Sequence, residues 1–200
     1  MNVHFRDATP KDVDVAIPLI FSSGPGAFDY IFSPKPGQAQ EFLRYTFQDG
    51  AGEFGYKNHV VCELDKKVVA IGAAFDGEST IKFFLAMGRQ IVSFYGLSSF
   101  TVIPRGLQVE HVIQPPKGHL HYIAHLGVDP SLQSKGIGAK LVEHLMEQGR
   151  KAGKTQTALD VSVLNPRAQA LYERLGFQLT GHRESKLAGV PSHNRLEQAL

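Results

Sequence analysis

The stretch from residue 119 to 177 restricts the fold more than any other part of the chain. A strand, a glycine-bearing loop, a helix, a second strand and a second helix follow in that order. In residues 119–128, Leu120, Tyr122, Ala124, Leu126 and Val128 alternate onto one face, and Asp129-Pro130 ends the run. After the loop, Ile137, Leu141, Val142, Leu145 and Met146 form one stripe at helical spacing, with Lys151 and Lys154 near the end where the helix dipole favours cations. Residues 157–163 read as the next strand. Asn165-Pro166 then supplies an N-cap and a first-turn proline to a helix that runs through Leu175 and stops at Gly176. Two strands joined through a helix lie parallel, so the chain is predicted to be α/β.

Such a crossover delivers backbone N–H groups at a helix N-terminus, which is where an anion can be held. In Gln133-Ser134-Lys135-Gly136-Ile137-Gly138-Ala139, the two glycines remove side chains where a phosphate must approach the backbone, and Lys135 adds positive charge with no acid in the loop. A diphosphate is the natural guest, although a bare G-x-G is also found as a plain turn. A dinucleotide fingerprint would place a glycine at position 141 and an acid after the following strand, where Leu141, Leu164 and Asn165 stand. The run from Gly149 to Thr155 imitates a P-loop but is one residue short and precedes a strand when it should follow one.

The rest of the chain is consistent with one domain spanning residues 1–200. Residues 3–6 read as a short strand, and Thr9-Pro10-Lys11-Asp12 opens a helix that runs towards Pro18. A second helix is expected over 38–48, and residues 60–64 and 68–75 form a hairpin through Asp65-Lys66-Lys67. Residues 77–118 read as an insertion, with a helix near 81–95 and Pro104, Pro115 and Pro116 as breakers. With 200 residues, 42% hydrophobic and 20% charged, the chain can bury a full core. A formal net charge of +2 leaves no basic tract for nucleic acid or an anionic membrane. The apolar region 81–103 is interrupted before the roughly 18 residues that a membrane helix needs. Cys62 has no partner for a disulfide, and the opening MNVHFRDATP lacks the apolar core of a signal peptide, so a cytoplasmic protein is expected.

Two segments carry a more specific likeness. Leu126-Gly-Val128-Asp-Pro130-Ser-Leu-Gln133-Ser-Lys-Gly136-Ile-Gly138 and Asn165-Pro-Arg-Ala-Gln-Ala-Leu-Tyr172-Glu-Arg-Leu-Gly-Phe177 together resemble the GNAT superfamily of acetyl-CoA-dependent N-acetyltransferases. The resemblance is strong over 120–177, fair for the opening strand and helix, and absent across 77–118. It implies a mixed sheet of about seven strands with helices on both faces, in which two parallel strands splay to admit the cofactor. It implies further that Gln133, Ser134, Lys135, Gly136, Ile137, Gly138 and Ala139 hold the CoA diphosphate. The backbones of Leu126 and Val128 would pair with the pantetheine arm and polarise the thioester carbonyl. Asn165 would touch that arm, and Tyr172 would protonate the leaving sulfur.

The general base is less constrained. Asp160 occupies the strand position where some family members carry a glutamate, and a solvated strand aspartate is the competing reading. In other members the base sits at the position of Tyr122, which is therefore a candidate substrate contact. His119, His121 and His125 share one strand face by alternation, but no carboxylate or cysteine accompanies them at ligand spacing, so no metal is expected. The expected reaction is acetyl transfer from acetyl-CoA to a small-molecule or peptide amine by direct attack in a ternary complex. A non-catalytic acyl-CoA-binding sensor and a thioesterase-like hydrolase are the alternatives. The aromatic insertion is expected to shape the acceptor pocket or a subunit contact in a homodimer.

Overall fold

The computed structural model describes residues 2–200. Its centre is a seven-stranded sheet of order β1-β2-β3-β4-β5-β7-β6. The strands are β1 (His4–Asp7), β2 (His59–Leu64), β3 (Lys67–Asp76), β4 (Leu120–Val128), β5 (Gln156–Ser162), β6 (Gln178–Arg183) and β7 (His193–Ala199). Neighbours run antiparallel except β4 and β5, which are parallel, as the crossover requires. The β2–β3 turn is tighter than predicted. Asp65 and Lys66, at φ 51 and 63, make a two-residue connection, and Lys67 already belongs to β3.

Two layers of helices cover the sheet. On one face lie α1 (Val13–Ser22), α2 (Pro25–Phe32) and α3 (Gln38–Asp49); on the other, α6 (Ile137–Lys151) and α7 (Pro166–Arg174). Alternation along the strands divides the core accordingly. Val61 and Ile71 pack with Phe42, Leu43 and Phe47 of α3, whereas Val60, Cys62 and Ala70 pack with Leu141 and Leu145 of α6. Helix α2 has no counterpart in the sequence reading, which left residues 19–37 unassigned. Pro25 starts it, and Ala27, Phe28 and Phe32 are its buried side.

Residues 77–118 fold as α4 (Thr80–Tyr95) and α5 (Ser99–Val109). Pro104 lies inside α5 and does not end it. The helical bond that its missing N–H forgoes would have gone to the carbonyl of Phe100, a residue 80% exposed. Pro18 is likewise carried inside α1. Ile91, Tyr95 and Val102 anchor the pair of helices in the α1–α3 core.

One irregularity positions the site. Between β3 and β4 the register moves from Ala73↔Ala124 to Ile71↔Gly127, so that Gly72 faces two residues, His125 and Leu126. His125 sits at φ 54, and a Cβ on Gly72 would come within 2.8 Å of Leu126 and 2.9 Å of Leu145. The bulge reverses the alternation. Leu126 and Val128 join Ile123 in the core under α6, while Tyr122 and Ala124 pack with Phe75 on the opposite face. The expectation that these five alternate residues share one face therefore fails past Ala124. The expected common face of the three histidines fails for the same reason. His121 hydrogen-bonds the Leu145 carbonyl at 2.8 Å, His125 stacks on His59 with ring centroids 5.3 Å apart, and His119 lies in a turn outside the strand.

Candidate functional site

Strands β4 and β5 pair only at Leu120↔Gln156, His121↔Thr157 and Tyr122↔Ala158, then part. Beyond that point β4 is held by β3 alone and β5 by β7 alone. A continuous cavity of about 850 Å³ runs through the gap. Its wall on one side is the glycine loop; on the other it is built from α2, α4 and the end of α5.

At the loop end, Gly136 is the N-cap of α6 at φ 82, a conformation that favours glycine, and carries no capping side chain. The first helical bond there runs from Lys140 to the Gly136 carbonyl, so the N–H groups of Ile137, Gly138 and Ala139 precede the helix's own ladder. A Cβ on Gly138 would sit 3.5 Å from Leu171 and 3.7 Å from Val128, ordinary contacts, so packing within the protein does not exclude a side chain there. Gln133, Ser134, Gly136, Gly138 and Ala139 line the cavity. Ile137 is buried in the core under α6 and can offer only its backbone, while Lys135 is exposed and stands off the lining. An uncapped helix N-terminus facing a cavity fits the diphosphate of CoA.

Arg167, in the first turn of α7, is a residue of this site that the sequence motif does not single out. Its guanidinium hydrogen-bonds the Ser134 hydroxyl and reaches Gln133 Oε1 at 3.4 Å, which brings a cation onto the loop. Asn165 caps α7 by accepting from the Ala168 N–H at 3.1 Å and also lines the cavity.

In the gap itself, Leu126 and Val128 present a strand edge that no neighbour covers on the β5 side. The ring of Tyr172 lies against Phe177. Burial pushes its phenol up to about 12, so it keeps its proton through the working range of an enzyme. Its hydroxyl has no hydrogen-bond partner among the described residues.

Asp160 has a setting that the sequence did not disclose. Across the β5–β7 ladder it faces Arg195, whose Nη1 lies 2.7 Å from Oδ2, and the same oxygen accepts from the Tyr122 hydroxyl at 2.8 Å. The guanidinium also stacks over the Tyr122 ring at 4.9 Å. Both side chains of the ion pair are nearly buried, at 11% and 6% exposure. Burial, then the charge on Asp160, holds the Tyr122 phenol well above its ordinary range. The structure thus brings Tyr122, Asp160 and Arg195 together as one closed cluster at the cavity wall.

Comparison with known proteins gives a family match. The model described as acetyltransferase (GNAT) family matches residues 28–177. [Ribosomal protein bS18]-alanine N-acetyltransferase of Escherichia coli (strain K12) is 43% identical over 53 residues, covering 26% of this chain and 36% of that protein. N-acetyltransferase 8F1 of Rattus norvegicus is 33% identical over 92 residues, 42% of each chain. The chain therefore spans less than half the length of these relatives. The crystal structure of an N-acetyltransferase from Staphylococcus aureus Mu50 superposes with a TM-score of 0.70 at 18% identity, covering 98% of this chain and 100% of that one, a likeness of fold.

Proposed function

This chain belongs to the acetyltransferase (GNAT) family, and we propose that it moves the acetyl group of acetyl-CoA onto a primary amine by direct attack with both substrates bound. The observation that carries this reading is the continuous cavity at the place where β4 and β5 part, lined by the glycine loop at one end and by an aromatic chamber at the other. Bound acetyl-CoA supplies an acetyl thioester whose carbonyl carbon is the electrophile. The N–H groups of residues 137–139, with Arg167 beside them, would hold its diphosphate, and the free edge of β4 at Leu126 and Val128 would align the arm. Tyr172 donates a hydrogen bond to the departing sulfur. Cys62 is not a nucleophile in this scheme: it lies in the core under α6, and burial raises its thiol to about 11.

Thiol release on mixing acetyl-CoA with a broad panel of amines tests the reading. Amine-dependent release supports it. Cofactor binding without release would mark a sensor, and release independent of amine a hydrolase.

Asp160, with one oxygen already shared by Arg195 and Tyr122, serves better to hold Tyr122 in the cavity wall than to collect a proton. Asp160→Asn should lower kcat/KM by less than about tenfold and leave the pH–rate profile parallel to the parent's. A loss of 10² or more that recovers at high pH would make Asp160 the base after all. Melting temperature should fall, because the substitution removes the nearer of two charge partners of a nearly buried arginine.

The helices of residues 77–118 shape the acceptor end. Phe83, Phe84 and Met87 of α4 and Val109 of α5 face the chamber. Replacing Phe83 and Phe84 together by alanine should raise KM for the best acceptor about tenfold while KM for acetyl-CoA stays within about twofold. Equal changes in both constants would remove the helices from acceptor selection.

A further inference from the structure

The transfer described above has an acid in Tyr172, but the proton on the attacking nitrogen still lacks a destination. Among the described residues two histidines line the cavity. His125 has both ring nitrogens engaged within the protein, Nδ1 at 3.2 Å from His59 Nε2 and Nε2 at 3.3 Å from Glu53 Oε1. His193 does not. Its Nδ1 lies 2.9 Å from the Pro191 carbonyl, which can only accept, so that nitrogen carries a hydrogen in either charge state of the ring. Its Nε2 has no partner among the described residues, yet it is not one of the unpaired side-chain atoms sealed from solvent, so it opens on the cavity. Burial, opposed by the bond to Pro191 and by the charge of Asp160, holds the ring below its ordinary pKa and keeps it neutral near pH 7.

The place of this nitrogen follows from the β7 ladder and from a docked loop. His193 opens β7 opposite Ser162 of β5, and two residues on Arg195 stands opposite Asp160. Asn194, between them, donates to Gln169 of α7 at 2.9 Å, so His193 and Arg195 alternate onto the other face of the sheet, where Arg195 stacks on Tyr122. Tyr172 belongs to the α7 side. A donor for the sulfur and a free imidazole nitrogen therefore border the gap from opposite faces. The loop of residues 184–192, which supplies the Pro191 carbonyl, is held against α2. A Cβ on Gly26 would come within 2.1 Å of the Gly189 carbonyl and 3.5 Å of Pro191, and Val190 packs with Ala27 and Val109. The next carbonyl, of Ser192, accepts from the Val163 N–H at 3.0 Å. Packing thus fixes the group that fixes the ring.

We propose that His193 is the general base of the transfer, its Nε2 taking the proton that the acceptor nitrogen sheds as the C–N bond forms. The proposal rests on the acetyl-transfer reading for its chemistry. The amine enters with its lone pair free. That pair forms the C–N bond to the acetyl carbon, and the C–S bond breaks with its electron pair leaving on sulfur. One N–H proton passes to Nε2 of His193, and Tyr172 gives its phenolic proton to the sulfur. The products are the N-acetyl amine and the free thiol; His193 then returns a proton to water and Tyr172 takes one back, so the exchange is neutral overall. A ring of reduced basicity suffices. An ammonium near a pKa of about 10 would hold its proton against it, whereas a nitrogen whose lone pair is committed to an acyl carbon gives it up readily.

The test uses the full chain, first without acetyl-CoA. In protein carrying nitrogen-15 in its histidines, the ring signals missing from His193→Asn should show hydrogen on Nδ1 and none on Nε2, and should titrate below the ordinary value of about 6.5. The asparagine amide keeps a donor for the Pro191 carbonyl. Kinetics then use the fastest acceptor among 2-phenylethylamine, spermidine and an alanine-initiated peptide. Expressed per neutral amine, the parent's kcat/KM should fall at low pH as His193 gains a proton. In His193→Asn it should be lower by on the order of 10² near neutral pH, with that limb gone, while acetyl-CoA raises the melting temperature of both proteins alike. The groups around His193 that can colour the profile are Asp160 on β5, Tyr122 on β4, Arg195 on β7 and Glu110 after α5; Arg183, opposite it on β6, donates to Gln114. Hydrogen on Nε2, titration above pH 7, or a His193→Asn profile parallel to the parent's would each overturn the proposal. If His193→Asn does not fold, the parent's ring signals, assigned through its backbone, decide it. If no amine releases thiol from acetyl-CoA, the acetyl-transfer reading falls and this base with it, whereas transfer undiminished in His193→Asn removes the base alone.

Discussion

Gly138→Asp should fold as the parent does and yet lose the thermal stabilisation that acetyl-CoA provides. The substitution sits in the first turn of α6, where an acidic side chain suits the helix dipole, and a Cβ there meets Leu171 and Val128 no closer than 3.5 Å. Folding therefore has little reason to suffer. The ligand does, because a unit charge about 4 Å from a phosphate oxygen costs on the order of 4 kcal/mol at an effective dielectric of 20. After screening at an open loop, a loss of about 10² in affinity is expected. At a ligand concentration of about 100 Kd the parent gains roughly 2.7 kcal/mol, which in a chain of this size is a rise of about 5–10 °C in Tm. Thermal melts of both proteins across an acetyl-CoA titration measure this. An unchanged shift in Gly138→Asp would remove the diphosphate from the α6 N-terminus. Gly136 is a poorer probe, because at φ 82 any side chain strains the backbone whether or not a ligand is present.

Tyr172→Phe should cut kcat by on the order of 10² and leave KM for acetyl-CoA within about twofold. The phenol is almost fully buried, its hydroxyl has no protein partner among the described residues, and burial alone lifts its ionisation to about 12. Removing the oxygen breaks no internal hydrogen bond, so Tm should stay close to the parent's. What is lost is a donor that matters when sulfur takes on charge, which places the effect in the chemical step. The same raised value means that the parent should show no fall in kcat from phenol ionisation up to about pH 10. Steady-state kinetics from pH 6 to 10 check both statements, and an undiminished kcat would return Tyr172 to a packing role against Phe177.

The glycine loop, its flanking strands and both following helices could be read from sequence because each is specified locally. Stripe spacing, caps and breakers within about ten residues decide them. What escaped depends on residues far apart in the chain. The bulge at His125 left no trace in the hydrophobic pattern, since Leu126 and Val128 are apolar on whichever face they fall, and a histidine at positive φ carries no warning comparable to a glycine. Arg195 could be matched to Asp160 only once β7 was placed beside β5, and His59 to His125 only once β2, β3 and β4 were in register. Helix α2 followed Ser23-Gly24-Pro25, which reads as a turn, and its eight residues are too few for a clear stripe. The glycine-loop end of the cavity was therefore legible, and its aromatic end, assembled from α2, the loop before β2 and the insertion, was not.

The parting of β4 from β5 also bears on how this molecule holds together. Among the described residues three residue pairs, from Leu120 to Tyr122, stitch β1–β4 to β5–β7, and α6, which packs across β3, β4 and β5, adds to the joint. The sheet is thus two halves joined by a short seam of backbone bonds and by the side-chain core they share under α6. A ligand lying in the gap touches both halves at once. It would add lacing where the strands supply none, so that occupancy would stiffen the sheet beyond what its shared core provides.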